Sequence, residues 1–147
     1  GEGGTVNPTP DPTPDPTPDP TPDPTPDAPV IEGTVTCSFA ADGTLSNSAF
    51  ALTGTKKNVR KESTTIEGVT YSASLKMEEG TEVSFTTSQK MTLYVYYGTS
   101  AKNQNVLVDG VKKTGAPTTV VLEAGAHKIT KGDSSAIALI KLVPVTE

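Results

Sequence analysis

The sequence has few of the residues from which metal sites are usually built. Its 147 residues include no tryptophan, one cysteine and one histidine. With Cys37 alone no disulfide can form within the chain, and Cys37 and His127 are too few for a zinc or iron site. Three aspartates in predicted turns, Asp42, Asp109 and Asp133, offer oxygen ligands for structural calcium, although ordinary turn chemistry explains them equally well. We therefore predict no metal centre.

Catalytic motifs and long apolar runs are missing as well. The sequence has no nucleophile elbow, phosphate-binding loop or dinucleotide-binding pattern, and no apolar run reaches the ~18 residues of a membrane-spanning helix. His127 lies in a predicted strand without an obvious acid and serine partner, so we expect a partly exposed strand residue. Glu78 and Glu79 are adjacent and point apart, whereas glycoside hydrolysis needs carboxylates that face each other. We predict no enzyme, no catalytic residue, no cofactor and no membrane span.

Proline and charge divide the chain into two parts. Residues 1–32 hold eleven of the thirteen prolines and seven acidic residues, but no lysine or arginine. Residues 33–147 hold ten acidic and twelve basic residues, a net charge of +2, although the whole chain has −5. About 115 residues suffice for one domain with a modest core, and so mild a positive charge does not favour nucleic-acid binding. We predict a linker over 1–32 and one folded module over 33–147.

A short repeat dominates the first part. Residues 8–27 are five copies of Pro-Thr-Pro-Asp, in which alternating prolines remove backbone donors and favour extended geometry. We expect a disordered, semi-rigid spacer of at most ~60 Å, at about 3.1 Å per residue. A proline-rich recognition ligand and a glycosylated stalk are alternatives. Because the chain starts at Gly1 without a methionine, we interpret it as a piece of a longer protein.

Alternating apolar and polar residues predict short strands in the second part. The clearest run extends from Val69 to Met77, and Asp109-Gly110 marks a tight hairpin. The other predicted strands are 34–40, 49–53, 82–87, 91–97, 105–108, 111–113, 118–122, 126–130 and 136–142. Residues 56–68 are predicted to be polar and irregular. Nine or ten short strands without helical periodicity predict an all-β fold, an antiparallel, jelly-roll-like β-sandwich.

The same alternation predicts which side chains are buried. We expect Cys37 to be a small buried hydrophobe and not a reactive thiol, and Val69 and Tyr71 to face inwards. Tyr94 and Tyr96 fall on the other face of their strand, either as an exposed pair or as a second core layer. The sequence therefore has few exposed aromatic side chains on which the sugars of a neutral glycan chain could stack. Basic residues are more numerous, and a flat polar strip with lysines over it suits an acidic ligand.

An ordered set of motifs resembles a known family. The set consists of Tyr71-Ser-Ala-Ser-Leu-Lys76-Met77, Val83-Ser-Phe85-Thr-Thr, Val108-Asp109-Gly110 and Lys128-Ile-Thr-Lys131-Gly-Asp. Over about residues 33–147 the sequence is similar to family 77 of the carbohydrate-binding modules, which are pectin-binding modules attached to pectate lyases. The resemblance implies a β-sandwich that binds poorly esterified homogalacturonan through basic side chains.

The resemblance also implies the ligand-binding residues. The three lysines of the family map onto Lys61, Lys76 and Lys131, and Arg60 beside Lys61 is a fourth candidate. On this interpretation the sandwich brings Lys131 over the same serine-lined strip as Lys76. A lysine ammonium is a compact charge with three donors, which suits one carboxylate and its neighbouring hydroxyls. Binding should then be sensitive to salt and to methyl esterification.

We expect a non-catalytic module that binds pectin and targets a linked enzyme, such as a pectate lyase, to the plant cell wall. Its partners would be the acidic polysaccharide and a covalently linked catalytic module, and we expect a secreted, extracellular monomer that binds neither nucleic acid nor membrane. The alternative is a structural or adhesion β-sandwich of a secreted or cell-surface protein, which the linker fits equally well. A catalytic domain is disfavoured, because the usual all-β lyase is a much longer parallel β-helix.

Overall fold

The structure, a computed structural model, describes residues 30–146, so the Pro-Thr-Pro-Asp repeat lies outside the described residues. Every regular element in the described part is a strand, as the alternating pattern predicts. The strands are β1 (Val35–Ser38), β2 (Ala51–Leu52), β3 (Val59–Ile66), β4 (Val69–Met77), β5 (Glu82–Thr87), β6 (Met91–Tyr97), β7 (Asn105–Val108), β8 (Val111–Thr114), β9 (Thr118–Leu122), β10 (Gly125–Lys131) and β11 (Ser135–Pro144).

The strands form two antiparallel sheets. One sheet, called here the β11 sheet, has the order β3-β4-β11-β6-β9, and β1 also pairs with β11. The other, called here the β10 sheet, has the order β2-β5-β10-β7-β8. The last two strands lie in different sheets, so the short turn between them joins the two layers at one end. The predicted antiparallel β-sandwich is confirmed.

One edge of β11 is shared by two strands. The first part of this edge pairs with β4, from Ser135 opposite Met77 to Ile137 opposite Leu75. Further along, β1 pairs with the same strand from Leu139 to Leu142. Since β1 occupies this second part, β4 leaves β11 after three residue pairs, and the far half of the β3–β4 hairpin is not held by that edge.

The main core lies between the two sheets. Its large, fully buried side chains include Leu75, Met91, Leu93, Ile129, Ile137, Ile140, Leu142, Val83, Val95 and Val106. Burying each such side chain contributes about 1.5–3 kcal/mol, so this layer supplies most of the stability of a module of this size. Cys37 is buried in it, as predicted, and so is Phe39.

A second, smaller cluster covers the outer face of the β11 sheet. Ile66 and Tyr71 of the β3–β4 hairpin pack there against Leu139 of β11 and Tyr96 of β6. Tyr71 was expected to face inwards with its strand, but it belongs to this outer cluster because the hairpin has left β11. Of the two possibilities for Tyr96, the second core layer is the one observed.

Two further expectations from the sequence are wrong. Residues 56–68, predicted to be irregular, contain β3, an exposed edge strand whose register shifts between Lys61 and Thr64. Such a bulge breaks the alternation on which strand prediction relies. Val69, predicted to be buried, is 51% exposed because it lies at the tip of the hairpin.

The core extends to residues before the predicted boundary at 33. Ile31 is 2% exposed and pairs with Thr87 in an isolated parallel bridge. Its amide donates to Thr86 O at 2.8 Å, and its carbonyl accepts from Ser88 N at 3.0 Å. Residues 30–146 contain no helix that is long and apolar enough to cross a membrane.

Because Cys37 is buried, we expect its thiol to react slowly with alkylating reagents. Burial raises the pKa of this thiol from 9.0 to about 11, against the opposing hydrogen bonds from Asn47 and Ser46. Raising the pKa by about two units lowers the thiolate fraction roughly 100-fold at pH 8. We expect iodoacetamide to label the folded protein far more slowly than the urea-unfolded protein. Mass spectrometry measures the labelling rate in each state. Equal rates for the folded and the unfolded protein would show that Cys37 is not buried.

Candidate functional site

Two of the predicted site residues lie side by side on the outer face of the β11 sheet. Arg60 of β3 is paired with Ser74 of β4, and Lys76 follows two residues later on the same face. The intervening Leu75 is fully buried in the main core, so strand alternation directs its neighbours outwards. Sequence alternation therefore predicted the position of Lys76 correctly.

Arg60 and Lys76 line a small pocket of about 110 Å³ at one end of the sandwich. This basic pocket is completed by Met77, Ser100, Lys102, Ser134 and Ser135. Three cations and three serines thus surround one space, and no acidic residue is among its lining residues. Ser100 comes from the loop after β6, Ser134 from the turn between β10 and β11, and Ser135 is the first residue of β11. The loop and the turn meet at the end of β4.

The cations of the basic pocket are not consumed by ion pairs. Within residues 30–146, the carboxylate ion pairs use Lys90, Lys112 and Lys141, and none uses Arg60, Lys76 or Lys102. The pKa of Glu78 is lowered first by a hydrogen bond from Asn58, and the charges of Lys76 and Arg60, together with that of Lys56, also lower it against an opposing effect of desolvation. The site therefore has positive charge available for an anionic ligand.

A buried polar cluster lies beside the basic pocket. Its members are Glu62 of β3, Ser74 of β4 and Ser100 of the loop after β6. Glu62 Oε2, Ser74 Oγ and Ser100 Oγ are all buried, and none has a hydrogen bond of normal geometry. Burial raises the pKa of Glu62, but the nearby Ser74 and Ser100 hydroxyls and the Arg60 charge outweigh burial and leave that pKa below its ordinary value. Glu62 therefore remains a carboxylate and attracts the polar groups around it.

Lys61 occupies a different face from Arg60. It is exposed, and its Cα partner is Ala73, which is two residues from the inward-facing Leu75. Strand alternation therefore directs Lys61 and Arg60 to opposite sides of β3. Lys61 is not among the residues that line the basic pocket.

Lys131 lies at the same end of the molecule but in the other sheet. It is the last residue of β10 and is paired with Val106 of β7. It lines a separate depression of about 310 Å³ together with Glu79 and Glu82, and its charge also acts on Asp133, whose pKa is lowered mainly by Lys112. The structure thus brings Arg60 and Lys76 together in one pocket and places Lys61 and Lys131 outside it.

Sequence analysis missed Lys102. It lies in the loop after β6, in a stretch without periodicity, and no neighbouring basic residue draws attention to it. Its position follows from the loop's contacts with β11 and the β10–β11 turn, which no local pattern reveals. No signal in the sequence identifies it.

His127 has an acid partner that sequence analysis did not find. Its Nδ1 lies 2.6 Å from Asp109 Oδ2, and its Nε2 lies 2.7 Å from Glu123 O. The second Asp109 oxygen accepts a hydrogen bond from Lys128 N at 2.9 Å. These bonds tie the β7–β8 hairpin to the β9–β10 turn, and within residues 30–146 no serine or cysteine forms a hydrogen bond with the ring.

The aromatic residues do not form an exposed pair. The Tyr96 hydroxyl donates to Glu67 Oε2 at 2.9 Å, and Lys141 Nζ donates to Glu67 Oε1 at 3.2 Å. Burial and the Glu67 carboxylate raise the pKa of Tyr96 to about 12. Tyr96 lines a groove of about 420 Å³ with Glu67 and Pro117. The only charged residue of that groove is acidic, so it is unsuited to a polyanion.

Comparisons with known proteins agree with this architecture. Residues 33–140 match the model of the family described as carbohydrate binding module 77. A chain solved in work on the Ruminococcus flavefaciens cellulosome and its expansion in glycan recognition is 30% identical, with a TM-score of 0.66 over 80% of this chain and 98% of that one. A Podospora anserina GH26-CBM35 β-(1,4)-mannanase is 17% identical, with a TM-score of 0.34 over 80% of this chain and 29% of that one, which is too low to support an argument. The curated proteins contain no match.

The packing beside the basic pocket depends on the absence of a side chain at Gly98. A Cβ built there would overlap Glu62 Oε2 and Ser74 Oγ. We expect Gly98→Ala to lower the free energy of unfolding by about 1–3 kcal/mol, measured by urea denaturation. Adding Ser74→Ala should recover part of the loss, because it removes one of the overlapping atoms. A Gly98→Ala protein as stable as the unmodified protein would show that Glu62 and Ser74 do not pack against this residue.

Proposed function

The chain belongs to carbohydrate-binding module family 77, and from this premise we propose that it binds pectin, specifically poorly esterified homogalacturonan, through lysine–carboxylate contacts. Homogalacturonan without methyl esters carries one carboxylate on every sugar, so it is a regular polyanion. A module that binds it needs unpaired cations on its surface and hydroxyls to bond the sugar oxygens. The observation that supports the proposal best is the basic pocket, where Arg60 and Lys76 have no carboxylate within ion-pair distance among residues 30–146.

The chemistry of the basic pocket matches one uronate sugar. A sugar carboxylate placed between Arg60 and Lys76 receives charge-assisted hydrogen bonds, each worth about 1.5–3 kcal/mol where water is partly excluded. Ser134 supplies a hydroxyl group at the same opening for the sugar oxygens, whereas the Ser135 hydroxyl donates to Asn105 O. Fully exposed ion pairs alone would contribute only ~0–1 kcal/mol each, so the concave, serine-lined setting matters.

Lys61 and Lys131 extend the proposed site beyond the basic pocket. Lys61 follows Arg60 on the exposed edge strand, and Lys131 precedes the turn whose Ser134 lines the pocket. A chain of several uronates that occupies the pocket with one sugar would bring further carboxylates towards these two lysines. We therefore retain Lys61, Lys76, Lys131 and Arg60 as the ligand-binding set, with the pocket pair making the central contacts.

The module serves to target a linked enzyme. We propose that it is non-catalytic and keeps a pectin-degrading catalytic module, such as a pectate lyase, close to the plant cell wall. The Pro-Thr-Pro-Asp spacer would maintain a high effective concentration of that enzyme at the substrate without adding contacts. Such a protein acts outside the cell, which fits a secreted, multi-modular polypeptide.

Ester content and salt test the proposal directly. We expect the module to bind polygalacturonate but not fully methyl-esterified pectin, because esterification removes the charges that the cations recognise. Raising the salt concentration from 0.05 to 0.5 M (about a threefold shorter screening length) should weaken binding. Isothermal titration with both polymers at both salt concentrations measures these effects. Equal affinity for the two polymers would refute recognition by charge.

Single substitutions test which cations make the contacts. We expect Lys76→Ala to weaken binding of polygalacturonate roughly tenfold or more, the cost of one charge-assisted hydrogen bond. Arg60→Ala should have a similar effect, and Lys61→Ala and Lys131→Ala smaller ones. Lys128→Ala, on the outer face of the β10 sheet, is the matched control and should bind normally in affinity electrophoresis. Unchanged binding by all four test variants would exclude the proposed site.

A further inference from the structure

We propose that Lys102 is a further ligand-binding residue, which lines the basic pocket together with Arg60 and Lys76 and makes it a three-cation site for one sugar carboxylate. This inference rests on the proposed function, since it concerns the same acidic ligand. Lys102 is exposed, carries no ion pair with a carboxylate in the described part of the chain, and lines the pocket with Arg60 and Lys76. Neither the strand pattern nor the family motifs point to it.

The loop that carries Lys102 is held at several points. At its start, Gly98 N donates to Ala136 O of β11 at 2.8 Å, and Ala101 N closes a turn onto Gly98 O at 3.1 Å. At its other end, Asn103 donates to Ser134 O through both its backbone N at 3.1 Å and its Nδ2 at 3.0 Å. Lys102 therefore lies between Gly98 and Asn103, which are both hydrogen-bonded to segment 134–136. That segment also supplies Ser134 and Ser135 to the pocket.

The turn that receives these bonds is itself held in place. Asn105 Oδ1 accepts from Asp133 N at 2.7 Å, and Asn105 Nδ2 donates to Asp133 Oδ2 at 3.0 Å. Ser135 Oγ donates to Asn105 O at 3.4 Å. The loop and the turn thus form one hydrogen-bonded unit, so the backbone at Lys102 has little freedom relative to Ser134. Less conformational entropy is then lost when a ligand binds.

The buried polar cluster attaches the same loop to the strand that carries Arg60. Thr99 N donates to Thr64 Oγ1 at 3.3 Å, and Ser100 Oγ is buried with Glu62 Oε2 and Ser74 Oγ. Since Ser74 precedes Lys76 by two residues and Glu62 follows Arg60 by two, the cluster links the three elements that supply the cations. The Glu62 carboxylate also offsets part of the repulsion among the three charges.

Lys102 should help the pocket to distinguish a carboxylate from its methyl ester. With three cations lining the pocket, a carboxylate there could accept hydrogen bonds from more than one of them, whereas a bound neutral methyl ester would take water away from these charges without giving them a partner. A charge that loses water and gains no partner is unfavourable, so Lys102 should contribute more to rejection of the ester than to binding of sugar hydroxyls. Removing the charge of Lys102 should reduce the ratio of the affinity for unesterified pectin to the affinity for esterified pectin.

The test measures the binding of polygalacturonate by three Lys102 variants. Lys102→Met keeps most of the length of the side chain without its charge, Lys102→Glu reverses the charge, and Lys102→Arg retains it. We expect about tenfold weaker binding of polygalacturonate by Lys102→Met, a larger loss by Lys102→Glu, and recovery by Lys102→Arg. The methionine variant should also show a weaker dependence on salt, an effect that altered loop packing alone would not produce. Thermal melts verify that each variant is folded.

The outcomes separate this inference from the proposed function. If the unmodified protein binds polygalacturonate and a folded Lys102→Met binds it equally well with the same salt dependence, Lys102 is not a ligand contact, while the proposed function stands. If Lys102→Arg binds as weakly as Lys102→Met, charge at this position is not what the ligand recognises, and the inference also fails. If the unmodified protein does not bind polygalacturonate, the proposed function and this inference fail together.

Discussion

The sharing of one edge of β11 between β4 and β1 determines the rest of the structure. Because β1 takes the second part of that edge, β4 is held only through its last residues, where Leu75 and Met77 enter the core. The held part of β4 carries Lys76, and the released part forms the hairpin that packs on the outer face against Leu139. The pairing of β4 and β1 with β11 therefore fixes the position of Lys76 and leaves the hairpin free to form the second core layer.

The candidate site forms where connections from both sheets meet the held end of β4. The β10–β11 turn brings Ser134 there because it joins the layers, and Ser135 follows as the first residue of β11. The loop after β6 lies there because Gly98 N donates to Ala136 O at the start of β11. Three cations then face one pocket without carboxylate partners in the described part of the chain. Maintaining such an arrangement has an electrostatic cost in the absence of a ligand, which a bound anion would remove.

Much of the fold could be predicted because its signals are local. Alternation over Val69–Met77 and the Asp109-Gly110 turn depend on neighbouring residues alone, and several strand boundaries agree with the predicted ones. The irregular assignment of 56–68 failed because a bulge interrupts the period of two in β3. The inward position of Tyr71 was wrong because the departure of β4 from β11 depends on β1, which precedes it by more than thirty residues.

The site was harder to predict than the fold. Lys76 could be identified, since its strand is regular and its outward direction follows from its neighbours. The relative positions of Arg60, Lys61 and Lys131 could not be predicted, because they depend on which face of a bulged edge strand each occupies and on how the two sheets are joined. Lys102 had no local signal, because its position depends on hydrogen bonds to residues more than thirty positions away in the chain, such as Ser134 and Ala136.

The most direct test of the account is to locate the ligand on the folded module. In an NMR titration of the ¹⁵N-labelled protein with unesterified trigalacturonate, the account predicts that the largest shift changes occur at the end of β4, in loop 98–104 and in turn 132–134. Changes concentrated instead around the Tyr96 groove, or the same changes with a fully methyl-esterified trimer, would contradict binding of an acidic sugar at the basic pocket.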